Sequence, residues 1–321
     1  MSPEDPAALL ASMRQGDRRA LARLLSRAES DPGGFGTVAD EVAAEVAQRP
    51  RRALRVAVTG PGGVGKSTLI DALAKVLRAR TRRVAVLATD PTSERTGGAL
   101  LGDRVRLSQE APDPGLYFRS VATRGASGGF SHAGFDQVDL LEAFGFDWIV
   151  IEAVGAGQGE IEVSFAADVT LVVFAPEGGD AVQALKAGLT EAGDIFCISK
   201  ADLPGAEAAA ETLRAALEIE AADEPEGAPP VVVASAAAGR GVDELVARLE
   251  QRAEALRRAG ALERRRRARL VRRVRHLALR EVERRLLDDE AMKAGLARAA
   301  GAASDGSPHR LARELLGRLL R

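Results

Sequence analysis

The sequence predicts an α/β fold built on a doubly wound, mostly parallel sheet, with helical segments added at both ends. Short runs rich in Val, Ile and Leu alternate with helical segments from Arg51 onward, and such alternation favours parallel strands joined by crossover helices. The runs are apolar almost throughout, which is typical of strands that are covered on both faces. In sheets of this kind, ligands bind at the carboxyl ends of the strands.

Seven apolar runs are predicted as strands, because each is short and is bounded by charged or turn-forming residues. The strand candidates are Leu54–Thr59, Val84–Thr89, Leu116–Val121, Trp148–Ala153, Val169–Ala175, Ile195–Ser199 and Val231–Ser235. Helices are predicted between several of them from apolar residues at three- and four-residue spacing. These helix candidates are Lys66–Arg80, Gly134–Phe144, Ala181–Ala192, Glu207–Ile219 and Val242–Leu256.

Both ends of the chain are predicted to be helical and to lack strands. Before residue 51, helix patterns cover Ala7–Met13, Arg18–Ala28 and Val38–Ala47. Near the end, a long Arg-rich pattern covers Leu262–Leu287 and a short one covers Leu311–Leu320. We therefore expect an N-terminal helical extension over residues 1–50, an α/β domain over 51–250 and a helical arm over 251–321.

The predicted arm differs from the rest of the chain in its charge. From Gln251 onward there are 20 Lys/Arg and 9 Asp/Glu, whereas the first 250 residues contain 25 and 37. The run Arg264–Arg267 is compatible with nucleic-acid binding, with a solvated helix face or with an acidic protein partner. Because residues 251–321 contain no Phe, Tyr or Trp and the sequence has no recognised nucleic-acid module, the last two readings are favoured and no nucleic-acid partner is expected. An apolar seam runs along the same helix and comprises Leu270, Val274, Leu277 and Val282.

Composition excludes several classes of protein. The single cysteine, Cys197, excludes an internal disulfide and suits a reducing compartment, and its apolar surroundings predict a buried filler. No stretch is long and apolar enough to span a bilayer, and the N-terminus does not resemble a signal peptide. We therefore expect a cytoplasmic protein without a membrane partner.

The three histidines lie far apart and away from Cys or carboxylate clusters, which argues against a zinc- or nickel-type site.

A phosphate-binding loop is the strongest signal in the chain. It lies between the first predicted strand and the helix that follows, which is the arrangement that the motif G-x-x-x-x-G-K-[ST] requires. The loop comprises Gly60, Pro61, Gly62, Gly63, Val64, Gly65, Lys66, Ser67 and Thr68. Its glycines let backbone N–H groups turn toward phosphates, and the helix start adds a positive dipole end. Lys66 is expected to reach the β- and γ-phosphates, and the Ser67 hydroxyl to ligate Mg²⁺. The alternative is a Gly-rich turn that binds nothing.

Two later loops predict that the base is guanine. Ser199-Lys200-Ala201-Asp202 matches the N-K-x-D box, with Ser in place of the usual Asn. In that box the aspartate accepts hydrogen bonds from the guanine N1–H and 2-amino groups, which adenine does not offer. The shorter Ser199 side chain is expected to weaken the contact to the O6/N7 side. The alternative reading of Asp202 is a helix-capping turn. Further on, a Ser-Ala loop suited to guanine O6 comprises Ser235, Ala236 and Ala237.

Acidic residues at two strand ends are expected beside the phosphates. Asp90 follows the second predicted strand and Glu152 lies near the end of the fourth. Glu152-Ala153-Val154-Gly155 has the spacing of a D-x-x-G switch with Glu for Asp, so the carboxylate would hold Mg²⁺ and the Gly155 N–H would sense the γ-phosphate. Each acid alone is also compatible with a solvated strand end.

With these motifs in place, the sequence resembles the MeaB/ArgK family, the GTPase chaperones of cobalamin-dependent acyl-CoA mutases. The run Asp90–Arg104 resembles the first switch of that family, and Glu152–Glu160 is similar to the second. The third switch is matched by Pro176–Asp180 with Gln183, Lys186 and Gly188. Shorter matches are Arg119-Ser120, Arg124-Gly125 and Gly128-Gly129. The resemblance covers residues 1 to about 250, and the tail is similar only in kind, as a helical dimerisation arm.

The resemblance implies a P-loop GTPase domain, bound GTP or GDP with Mg²⁺, and a homodimer. It further implies docking on a cobalamin-dependent acyl-CoA mutase, where the GTPase would gate delivery of adenosylcobalamin from an adenosyltransferase and would protect or rescue the cofactor. Carried over, the Mg²⁺ and water environment would be formed by Ser67, Asp90, Asp103 and Glu152. Lys66, Asp90 and Glu152 would serve catalysis, and Lys186 would act when the partner is bound.

Two other readings remain open at this point. A P-loop kinase would transfer phosphate to a small molecule or a protein, but a kinase has no need of a guanine box such as the one around Asp202. A nucleotide-dependent scaffold would bind without useful turnover. Comparison of GTP with ATP, and phosphate release measured with and without the mutase, would separate these readings.

Overall fold

A computed structural model of the chain describes residues 5–31, 34–90, 113–122, 132–153, 163–177, 193–222 and 227–288, and isolated positions beyond them. Its contacts divide the chain into two compact units, Met1–Arg266 and Arg267–Arg321. The helices are α1 Pro6–Arg14, α2 Arg18–Ser30, α3 Gly36–Gln48, α4 Lys66–Ala79, α5 His132–Phe144, α6 Ala206–Glu220, α7 Val242–Arg258 and α8 Ala261–Asp288.

Seven strands form one sheet in the first unit. They are β1 Leu54–Thr59, β2 Val84–Asp90, β3 Leu116–Ala122, β4 Trp148–Glu152, β5 Val169–Phe174, β6 Ile195–Ile198 and β7 Val231–Val233. Their order is β3-β2-β4-β1-β5-β6-β7, and every neighbouring pair is parallel. The predicted α/β class and the doubly wound parallel sheet are therefore confirmed. The order reverses at β1, so the crevice for a ligand lies at the carboxyl ends of β1 and its neighbours β4 and β5.

The sheet is covered on both faces because successive strand side chains point in opposite directions. In β1, Ala57 packs in the cluster that contains the buried side chains of α1, α2, α3 and α5. Val56 and Val58 belong instead to the cluster of α4 and α7 on the other face. Helix α6 packs against Val172, Phe174, Phe196 and Ile198 of β5 and β6. Helices α1, α2 and α3 pack against α5 and share its buried cluster on this face of the sheet.

A buried ion network closes the amino ends of the strands, opposite the predicted site. Arg55 in β1 donates to Asp139 Oδ1 (2.6 Å) and to Glu142 Oε2 (2.6 and 2.9 Å) from α5. Burial alone would lower the pKa of the Arg55 guanidinium, but Asp139, Glu142 and Asp168 together hold it above its ordinary value. The network therefore keeps a buried cation charged and joins α5 to β1.

Part of the Arg-rich run is bound to this same edge. Arg265 pairs with Asp194 (2.8 Å), which precedes β6, and Arg266 pairs with Asp168 (3.1 Å), which precedes β5. The Arg266 side chain is only 16 % exposed. The reading of residues 264–267 as a purely solvated face or partner site is therefore wrong for these two arginines, because carboxylates of the chain itself neutralise them.

Some element boundaries differ from the sequence prediction. Strand β2 continues to Asp90, and β7 ends at Val233 because Ser235 and Arg240 exchange backbone hydrogen bonds in a tight turn (2.9 and 3.0 Å). The predicted helix 181–192 lies outside the described residues, as does nearly all of 311–320. Residue 251 lies inside α7, and the three-part division at 50 and 250 stays a prediction.

Candidate nucleotide-binding site

The predicted phosphate loop connects β1 to α4 at the centre of the sheet. Gly60 has φ +135°, and a Cβ there would lie 2.0 Å from the carbonyl oxygen of Val173 in β5. Gly65 caps α4 in the left-handed region with φ +93°. Residues with side chains are strained or sterically excluded at these two positions. The loop therefore adopts the tight path that brings backbone N–H groups to the start of a helix.

Lys66 lies inside this loop. Lys66 is 8 % exposed, and its Nζ donates to the carbonyl oxygens of Gly60 (2.5 Å) and Pro61 (2.9 Å). The ammonium group thus lies against the first two residues of the loop. A phosphate anion is a stronger partner for an ammonium than a carbonyl is, so the charge is positioned to be drawn onto a phosphate.

The predicted metal-binding hydroxyl and one predicted carboxylate lie in direct contact. Ser67 Oγ, on the first turn of α4, donates to Glu152 Oε1 at the end of β4 (2.7 Å). Glu152 is 5 % exposed and lies beside Val58 of β1 in the sheet register. One step along β1, the buried hydroxyl of Thr59 has no hydrogen-bond partner among the residues that the structure describes. Side-chain oxygen atoms of the kind that can ligate Mg²⁺ therefore lie beside the phosphate loop.

The two predicted guanine-reading loops are joined to each other. Asp202 follows β6, Ser235 follows β7, and the Ser235 hydroxyl donates to Asp202 Oδ1. This hydrogen bond is the main reason why the pKa of the exposed Asp202 carboxyl lies below its ordinary value. The same Ser235 Oγ accepts from the Ala238 N–H (3.1 Å), which closes the Ser-Ala loop that contains Ala236 and Ala237. The carboxylate is therefore ionised and oriented before any ligand binds.

Ser199 and Lys200 connect this region to the phosphate loop. Ser199 is 4 % exposed, and its hydroxyl lies 2.5 Å from the Val64 carbonyl oxygen and 2.9 Å from that of Phe174. Lys200 has φ +51°, and its Cε would lie 3.9 Å from a Cβ added to Gly65. Both residues consequently face the loop that would hold phosphates.

Four of the predicted site residues are located only in part or not at all. Asp90 is the last residue of β2, and Ala88, two positions earlier, is paired with Glu152 in the sheet. The Asp90 side chain, Asp103, Gly155 and Lys186 lie outside the described residues. Their roles stay predictions.

Comparison with known proteins identifies the family. The family model described as "Methylmalonyl Co-A mutase-associated GTPase MeaB" matches residues 21–291, which is most of the chain. The chain belongs to the MeaB family. This confirms the resemblance inferred from the switch segments, and it confirms the prediction of a GTPase at the level of the family.

Individual relatives of this MeaB family member agree with that assignment. A GTPase homologue from Pyrococcus abyssi is 43 % identical over 264 residues, which cover 82 % of this chain and 80 % of that protein. GTPase ArgK of Escherichia coli is 34 % identical over 236 residues, covering 73 % and 71 %. The crystal structure of a LAO/AO transport system kinase superposes with a TM-score of 0.71 at 26 % identity, covering 100 % of this chain and 99 % of that one.

Among the described residues of this MeaB family member, no group of three or more His, Cys, Asp or Glu side chains is arranged to hold a metal ion. No helix among those residues has the length and apolar character needed to cross a membrane.

Two features of the site were missed from the sequence. The Thr59 hydroxyl, for which the described part of the chain offers no hydrogen-bond partner, has no signal in the motif, since Thr59 precedes the loop and looks like an ordinary strand residue. The contact between Ser199 and Val64 joins positions 135 residues apart. The replacement of Asn by Ser was the only sequence signal for it, and it was read as a weakened base contact.

Proposed function

We propose that this chain is a GTP-hydrolysing metallochaperone that docks on a cobalamin-dependent acyl-CoA mutase and gates the loading, protection or rescue of adenosylcobalamin. The observation that carries the nucleotide part is the assembly of three separate motifs at one edge of the sheet. The loop around Lys66, the Ser67–Glu152 pair and the Asp202–Ser235 pair lie at the carboxyl ends of β1, β4, β6 and β7. The family description, which names a mutase-associated GTPase, supports the partner.

The donor set fits Mg²⁺. This ion prefers oxygen ligands and is usually held by one or two carboxylates together with phosphate oxygens and water. The Glu152 carboxylate and the Ser67 hydroxyl lie 2.7 Å apart, and together they match the small number of protein ligands that Mg²⁺ usually has. We propose that these two residues hold the ion with Asp90 and Asp103, and a bound Mg²⁺ would neutralise charge on the β- and γ-phosphates.

The residues of the chain would act mainly by positioning and charge stabilisation. Lys66 would exchange its carbonyl partners for the β- and γ-phosphates, where negative charge develops during hydrolysis. Gly155 would report the γ-phosphate to the second switch, and Lys186 would join when the mutase is bound. The first test is Lys66→Ala, which should remove GTP binding measured by calorimetry. Affinity within about twofold of the wild type would contradict the assignment of the loop, since a charged hydrogen bond is worth more than that.

The base and the reaction class can be tested together. We expect GTP and GDP to bind at least about a hundredfold more tightly than ATP and ADP, because Asp202 would lose its two donors on adenine and remain desolvated. A P-loop kinase is the alternative, and a structural relative carries that name. Preference for ATP together with transfer of labelled γ-phosphate to an acceptor would favour the kinase.

The mutase partner requires its own experiment. Phosphate release from GTP should be slow for the isolated chain and faster when a cobalamin-dependent acyl-CoA mutase is added. Capture of a corrinoid-containing protein from native lysate would identify which mutase is served. An unchanged rate with every such mutase of the source cell would count against the docking role, and would leave GTP binding unaffected.

Cytoplasmic localisation and the absence of a nucleic-acid partner stay predictions.

A homodimer is the last element of the proposal. Within helix α8, the apolar side chains of the seam are between 46 % and 60 % exposed, and they are Leu270, Val274, Leu277 and Val282. We propose a second copy of the chain as their partner. Leu277→Glu should shift the sedimenting species from dimer to monomer. Ile219→Glu is the control, since Ile219 is 78 % exposed and belongs to helix α6 instead of α8. A wild-type monomer at micromolar concentration would refute the proposal.

A further inference from the structure

Ser199 occupies the position of the Asn in the N-K-x-D guanine box. Its contacts indicate a role other than contacting the base. We propose that Ser199 is a positioning residue that ties the base-reading loop to the phosphate loop, and that it leaves the guanine N7 unread. This inference rests on the proposed binding of guanine nucleotides.

The Ser199 hydroxyl can donate only one hydrogen bond, because a serine hydroxyl has one proton. It lies 2.5 Å from the Val64 carbonyl oxygen and 2.9 Å from the Phe174 carbonyl oxygen. The Phe174 oxygen already accepts from the backbone N–H of Ser199 at 2.8 Å. The Val64 oxygen is nearer to the hydroxyl, and the Phe174 oxygen already has a donor. The Ser199 hydroxyl therefore donates its proton to the Val64 carbonyl oxygen.

The surroundings make this hydrogen bond costly to break. Ser199 is 4 % exposed, Val64 is 2 % exposed and Phe174 is fully buried. A buried carbonyl that loses its donor keeps the full cost of desolvation. The hydroxyl therefore stays bound to the phosphate loop, and Ser199 links that loop to the end of β5 through its own N–H bond to Phe174.

Guanine N7 is an acceptor without a hydrogen, so it can be read only by a donor. Ser199 has no second proton to give it. The other guanine edge offers the N1–H and 2-amino donors, which suit the ionised Asp202, and O6 suits the backbone N–H groups of the loop at Ser235. An Asn at position 199 would carry two amide protons, enough for both Val64 and N7. Selectivity in this chain therefore depends on Asp202 and the Ser235 loop.

The experiment compares GTP with 7-deaza-GTP, in which a C–H replaces N7, by titration calorimetry on the full chain with Mg²⁺. The wild type should bind the two within about twofold of each other. Inosine triphosphate, which lacks the 2-amino group, should bind at least about tenfold more weakly than GTP because Asp202 loses a charged hydrogen bond. A wild-type preference of about tenfold for GTP over 7-deaza-GTP would overturn the proposal.

Two variants test the residue itself. Ser199→Asn should create a dependence on N7, with GTP bound about fivefold more tightly than 7-deaza-GTP, as one added neutral hydrogen bond allows. A ratio that stays at the wild-type value would overturn the assigned geometry. Ser199→Ala should weaken both nucleotides equally, by about tenfold, because the phosphate loop loses its tether. A loss confined to GTP would show that the hydroxyl reads N7, and would also overturn the proposal.

Folding and function are separated by the same measurements. Thermal melts without nucleotide show whether Ser199→Ala folds, and the wild-type ratio needs no variant. If GTP binds with a strong N7 preference, only the role of Ser199 is refuted. If no guanine nucleotide binds to the wild type, the proposed function fails and this inference fails with it.

Discussion

Glu142 offers the sharpest test of how the sheet is stabilised. The residue is 1 % exposed and joins three partners from the start of β1. Its Oε2 accepts twice from Arg55 (2.6 and 2.9 Å), and its Oε1 accepts from Arg52 and from the Ala53 N–H (3.2 Å). Glu142→Gln keeps the shape of the side chain, removes its charge and turns one oxygen into a donor that faces other donors.

The expected loss is large because the remaining charge is buried. Removal of one partner from a buried ion pair costs about 3–5 kcal/mol, and we expect about 3 kcal/mol, since Asp139 still pairs with Arg55 at 2.6 Å. For a domain of this size each kcal/mol lowers the melting temperature by about 2–4 °C. The variant should therefore melt about 6–12 °C below the wild type.

Urea unfolding and calorimetric melting of the nucleotide-free protein measure the effect. The control is Glu41→Gln, because Glu41 is 52 % exposed and pairs with the 39 % exposed Arg14 on the surface. Loss of such a pair costs at most about 1 kcal/mol. If Glu142→Gln is no more destabilising than Glu41→Gln, the network does not stabilise the fold in the way described.

Three further predictions concern the site and the core. Asp202→Asn should weaken GTP by at least about a hundredfold, because two charged hydrogen bonds are lost, and should improve xanthosine triphosphate, whose 2-oxo group accepts from the new amide; calorimetry that still ranks GTP first would contradict the base assignment. Glu152→Gln should raise the Mg²⁺ concentration needed for half-maximal phosphate release by about tenfold, and an unchanged Mg²⁺ titration would exclude a role at the metal. Burial raises the pKa of the Cys197 thiol to about 12, so iodoacetamide at about pH 8 should leave it unmodified until urea unfolds the chain; rapid labelling of the folded protein, seen by mass spectrometry, would show that the thiol is accessible.

The sheet could be predicted from the sequence because each strand carries its own signal. Continuous apolar runs such as Val169–Phe174 mark strands that are covered on both faces, and the glycine pattern from Gly60 to Gly65 fixes the loop and the start of α4. The end of β7 was misplaced, since the turn from Ser235 to Arg240 depends on backbone pairing that composition does not encode. Local sequence patterns therefore predicted where each strand and helix lies, but not every residue at which an element ends.

Contacts between distant residues could not be predicted. Nothing near Arg266 in the sequence indicates that its partner is Asp168, 98 residues earlier. The same holds for Ser199 and Val64, and for Ser235 and Asp202, which lie 33 residues apart. The motifs predicted that both guanine loops serve one ligand, but only the register of β6 and β7 brings their side chains together. Sequence patterns therefore specify which residues can act, and the fold specifies their partners.

The position of β7 has a consequence for how the nucleotide would be lost. This strand is three residues long, lies at the edge of the sheet and pairs only with β6 among the described strands. Short edge strands open more readily than central ones, and the Ser235 loop begins two residues beyond it. Fraying at this margin would release the purine first, while the phosphates stay bound at the centre of the sheet beside β1. Exchange of a hydrolysed nucleotide would then begin at the base and leave the phosphate loop in place.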